Sequence, residues 1–73
     1  MSQKEHDLRI RVLKKRLKLA RAKSEHASLI ELEKNSKAGV TKKDVDAMAE
    51  HVKHRERQVK EVEAELEDFL AKR

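Results

Sequence analysis

The sequence contains no cysteine, proline, tryptophan or tyrosine, and only one glycine and one phenylalanine. Each absence removes an architecture or a chemistry. Without cysteine there is no disulfide framework, thiolate metal site or cysteine nucleophile, which suits a reducing compartment. Without proline, and with Gly39 alone, little interrupts a helix outside the stretch around that glycine. No apolar run approaches membrane-spanning length, and the opening Met-Ser-Gln-Lys-Glu-His-Asp is polar and mixed in charge rather than signal-like. The expectation is a soluble, cytoplasmic protein with no membrane association. Glycine-rich phosphate loops and nucleophile elbows are missing too, and two helices enclose no pocket. No enzyme, cofactor, metal site or small-molecule substrate is therefore expected.

What the chain does have is charge and period. Charged residues make up 45% of its 73 residues and aromatic residues 1%, a balance that gives disorder when the apolar residues are scattered. Here they are periodic. Val45, Met48, Val52, Arg55, Val59, Val62, Leu66 and Phe69 alternate three- and four-residue steps. Such steps average the 3.5-residue period of a left-handed supercoil and keep one stripe facing a partner helix.

Two helix starts are marked. Ser2 followed by Glu5 fits a capping box, and Thr41 followed by Asp44 fits a second, with Val40 placed to staple onto Val45. Between them, Asn35 to Gly39 supplies turn residues and a glycine able to take the left-handed conformation. The predicted fold is a single all-α domain, an antiparallel helical hairpin with helix 1 over about 3–36, a turn over about 37–41 and helix 2 over about 42–72. Charge supports the pairing. Residues 9–23 hold eight basic residues and no acidic one, while Glu61, Glu63, Glu65, Glu67 and Asp68 crowd helix 2. One unbroken helix in a parallel coiled coil, the alternative, sets like-charged blocks together and leaves the caps without a purpose.

Helix 1 carries two apolar stripes. At about 100° per residue, Ile10, Leu13, Leu17, Ala20 and Ala27 cluster on one side, and Leu8, Val12, Leu19, Ala22, Leu29 and Ile30 on a neighbouring side. One helix 2 cannot cover both, and a chain of this size buries too little surface to be comfortably stable alone. A homodimer forming a four-helix bundle is expected. Leu8, Val12, Leu19 and Leu29 become contacts for a different protein if the second stripe is not consumed in that dimer. The expected function is a small coiled-coil module acting by protein–protein binding, as a regulatory adaptor or inhibitor or as an assembly factor.

Nucleic acid is the alternative partner. Arg11, Lys14, Lys18 and Arg21 line one helical face pointing away from both stripes, and the formal charge is +5. Four cations over about 15 Å of helix can track a phosphate backbone. With Phe69 the only aromatic residue, the choice narrows to duplex DNA or structured RNA. Two further features have bland readings. His51, His54, Glu50 and, through the antiparallel register, His26 could be drawn as a zinc site, but they lack a zinc-motif spacing and suit a solvated surface. Arg55 breaks the seam of helix 2 either as a polar register device reaching Glu25 or as a stem packed in the seam with its guanidinium in water. The layout resembles Rop-type hairpin dimers, in which two helix-turn-helix chains form an antiparallel four-helix bundle with an RNA-binding face. That resemblance rests on the hairpin and its heptads and transfers no individual residue.

Overall fold

A computed structural model describes residues 2–35 and 39–72. Two helices, α1 (Gln3–Lys34) and α2 (Lys42–Ala71), pack side by side as a helical hairpin about 54 Å long. The last residue of the predicted helix 1, Ser36, and the first two of the predicted turn, Lys37 and Ala38, lie outside the described residues.

The caps explain where each helix begins. Ser2 Oγ accepts from the Glu5 N–H at 3.1 Å, while the Glu5 carboxylate accepts from Arg9 Nε at 3.3 Å. At α2 both halves of the capping box form: Asp44 N–H donates to Thr41 Oγ1, and Thr41 N–H donates to Asp44 Oδ2 at 3.0 Å. The bonds from Ser2, Thr41 and Asp44 serve backbone N–H groups at the helix starts, where the regular i to i−4 acceptor is missing. α1 stops at Asn35, whose N–H returns to Glu31 O. Gly39 then takes φ +66°, a conformation costly for any residue with a Cβ.

The α2 seam forms as its heptads require. Val52, Val59 and Val62 are buried, and Val45, Met48, Arg55, Leu66 and Phe69 are half-buried. Its counterpart on α1 is a second strict heptad: Glu5, Leu8, Val12, Lys15, Leu19, Ala22, His26, Leu29 and Glu33, every one buried or half-buried. The register is regular. Leu8 and Phe69, Ala22 and Arg55, and Leu29 and Met48 each share a surface recess, so steps of seven along α1 match steps of seven back along α2. Arg55 faces the smallest residue of the α1 seam, which leaves room for its long stem.

This packing corrects the expectation for α1. The stripe assigned to an outside partner, with Leu8, Val12, Leu19, Leu29 and Ile30, is the one that α2 covers: Leu8 is 5% and Val12 4% exposed, and the other three are half-buried. Left uncovered is the opposite stripe. The reason is flanking charge and seam register. Arg11 and Arg16 border the Val12 stripe on either side and pair with Glu65 and Glu63 of α2, which holds that stripe inward.

Candidate functional site

The outward face of α1 has the same period as its inward face. Ile10, Leu13, Leu17, Ala20, Ser24 and Ala27 each sit two residues before an inward position and are all exposed. Two residues turn the helix by about 200°. The three large members are 37%, 58% and 53% exposed for Ile10, Leu13 and Leu17, and they are the large hydrophobic residues that the described structure leaves most open. Isolated exposed leucines are ordinary on protein surfaces, but three in a line at heptad spacing form a continuous ridge.

Charge frames this ridge. Lys14 and Arg21 border one side, and Arg9, Arg16 and Lys23 the other, the positions that flank the seam in a coiled coil. Some of these cations are already engaged inside the hairpin: Arg9 with Glu5, Arg16 with Glu63 and, farther round, Arg11 with Glu65 at 3.3 Å. Lys14, Lys18, Arg21 and Lys23 have no acidic partner among the described residues. The ridge and its border therefore join apolar surface to uncompensated positive charge.

The predicted basic face is only partly a unit. Arg11, Lys14, Lys18 and Arg21 are all exposed, yet they divide between two settings. Arg11 and Lys14 line a groove with Gln3, His6, Asp7 and Ile10, while Lys18 and Arg21 line a recess with Glu25, His51 and Arg55. In that second recess, cations from both helices meet.

The remaining polar candidates resolve simply. Arg55 Nη1 donates to Gln58 Oε1 at 3.0 Å, one turn along its own helix, and makes no ion pair with Glu25 among the described residues. His54 Nε2 lies 3.3 Å from Gln58 Nε2, and His51 faces the Arg55 recess. Among the described residues no three His, Asp or Glu side chains converge on a point that could hold a metal. At the open end of the hairpin, Lys4 Nζ sits 5.3 Å from the Phe69 ring centroid, within cation–π range.

The outward seam of α1 was the feature that sequence reasoning misread. The Leu8 stripe, expected against a partner, faces α2, and Ile10, Leu13 and Leu17, which carry the same heptad spacing, face outward. The structure defines an all-helical two-helix hairpin, and none of its described helices is long and apolar enough to cross a membrane. No family profile, curated protein or solved structure matches this chain.

Proposed function

We propose that the chain is a non-enzymatic coiled-coil interaction module that works by protein–protein binding through the outward seam of α1. One observation carries the reading: Ile10, Leu13 and Leu17 stand at heptad spacing on the face of α1 that α2 leaves uncovered. Water is a poor neighbour for such a ridge, and a second helix is the geometry that its spacing fits.

The homodimeric four-helix bundle is the form this reading takes when a second copy is the partner. Each of the three residues is already about half buried, so covering the rest contributes ~1 kcal/mol apiece, or ~6 kcal/mol for a symmetric pair. Association costs about 4–15 kcal/mol in lost freedom. Self-pairing through this face thus starts near balance, before any effect of the charges beside it.

A second reading has one observation in its favour, the recess where Lys18, Arg21, His51 and Arg55 meet. A duplex or structured RNA could lie there by phosphate contact. The line of aliphatic side chains beside it counts against this, because phosphates are poorly served by apolar neighbours.

Sedimentation separates these readings. The chain is run alone and with three designed helices of about three heptads, all with leucine at a and d, and with glutamate, glutamine or lysine at e and g. Self-association, or association with at least one helix, that disappears in the Leu13→Gln, Leu17→Gln double variant supports the proposal. If the chain remains monomeric and binds none of the helices, or if its binding is indifferent to the double variant, the proposal is overturned. Retention of a duplex RNA that is lost when Lys18 and Arg21 become glutamine, but not in the double variant, promotes the second reading.

A further inference from the structure

Resting on the protein-binding reading, we infer that the occupant of the outward seam is an acidic amphipathic helix of another protein rather than a second copy of this chain. The argument is one of charge at fixed positions. In a coiled coil the residues flanking the seam decide which partner is accepted. Around Ile10, Leu13 and Leu17 those flanking positions hold Lys14 and Arg21 on one side and Arg9, Arg16 and Lys23 on the other, and Asp7 alone is acidic over the same stretch.

A second copy fits badly in every orientation. Packed antiparallel through α1 with Arg16 opposite its own equivalent, Lys14 meets Lys14 and Arg9 meets Lys23, and the pairing of Asp7 with Arg21 is the one exception. Packed parallel, Arg9 faces Lys14 and Arg16 faces Arg21. Like charges meet across the seam in both cases. The α2 helix of a second copy has acidic residues to offer, but its outward positions, including Ala47, Glu50, His54, Arg57, Glu61 and Ala64, carry no large apolar side chain. It could answer the charge and not the ridge.

An acidic helix answers both. Leucine-sized residues at its a and d positions would cover Ile10, Leu13 and Leu17, and carboxylates at its e and g positions would reach Lys14, Arg21 and Lys23. Farther along, Ala20, Ser24 and Ala27 continue the seam with small side chains, so a partner backbone can approach closely there. A lipid surface is a weaker fit because no tryptophan or phenylalanine stands in this stretch to anchor it.

The three designed helices described above provide the test. Each exposed charge pair contributes roughly a twofold effect, so the glutamate helix is expected to bind on the order of tenfold more tightly than the glutamine helix at low salt. The lysine helix should bind least. The advantage should shrink as salt is raised, since exposed charges are screened. Replacing Lys14, Arg21 and Lys23 with glutamine should erase the preference for glutamate while leaving the glutamine helix bound. The inference is overturned if the glutamine or lysine helix binds as tightly as the glutamate helix, or if a homodimer forms that the glutamate helix cannot displace; in these outcomes the seam still binds protein and the broader reading stands. It is also overturned if vesicles of phosphatidylserine and phosphatidylcholine, or a duplex RNA, bind in a way that the Leu13→Gln, Leu17→Gln variant abolishes while the glutamate helix does not bind. Loss of every association with the designed helices sinks the protein-binding reading as well.

Discussion

Val12 and Leu13 are neighbours in the chain and opposites in the fold: Val12 is 4% exposed and Leu13 58%. Both belong to heptad seams on the same helix, and the larger and more hydrophobic of the two is the one left in water. Apolar content therefore did not select the inward face of α1. Its inward seam even contains four polar residues, Glu5, Lys15, His26 and Glu33. What selects it is the fit to α2: Leu8 reaches the level of Phe69, Ala22 makes room for Arg55, and Arg11 and Arg16 find Glu65 and Glu63. Glu5 is buried and answered by the Arg9 guanidinium, while a half-buried Lys15 has a long stem able to cover apolar surface.

The largest way to break this contrast is to place a charge in the inward seam. Val12→Asp should cost more than about 3 kcal/mol, because it combines a lost apolar contact with an unpaired carboxylate under α2. A chain this small has little stability in reserve. Far-UV circular dichroism should show loss of most helix at room temperature, and a fully helical, cooperatively melting variant would mean that Val12 is not a core position. A change in the other direction tests Arg55. Arg55→Leu, set against Ala22, should raise stability by ~1–2 kcal/mol in urea, since apolar replacements of partly buried charges are often stabilising. A large loss of stability would show that its bond to Gln58 and its aliphatic stem matter more to the seam than its charge costs.

Much of this fold could be read from the residues, and the part that could not has a physical cause. The seam of α2 was legible because seven of its eight positions are apolar and their spacing never slips. Thr41 with Asp44, and Gly39 with its positive φ, were legible because caps and left-handed turns accept few residue types. The α1 seam was not, because four of its nine positions are polar and a search for apolar stripes passes over Lys15 and His26. The exposure of Arg11, Lys14, Lys18 and Arg21 followed from their angular position on the helix. That Arg11 is tied to Glu65 depended on the register between helices, which local pattern does not fix. The acidic and basic blocks did announce that such pairs would form.

A smaller effect is expected at the turn. Thr41→Ala removes the side-chain acceptor of the Asp44 N–H and should cost ~1 kcal/mol, the usual value of a helix N-cap. The loss should appear as lower hydrogen-exchange protection in the first turn of α2 before the rest of the hairpin opens. Equal loss of protection along both helices would instead mean that this cap limits the stability of the whole fold. The seam residues beside this cap, Leu29, Val45 and Met48, are only half-buried, so local fraying is the expected response.

The smallest effect on folding sharpens the comparison most. In the Leu13→Gln, Leu17→Gln double variant, helix propensity is nearly unchanged and no contact with α2 is lost, so the urea midpoint should correspond to a stability within about 0.5 kcal/mol of the parent. A similar pair of changes at Leu8 and Val12 should unfold the chain. If the double variant is instead strongly destabilised, then Leu13 and Leu17 contribute to the hairpin itself and the outward ridge is not spare surface. If stability is preserved, these two leucines do nothing for the isolated fold. Their cost to solubility must then be offset by a contact that the hairpin alone does not make, and the cations beside them set the charge of whatever makes it.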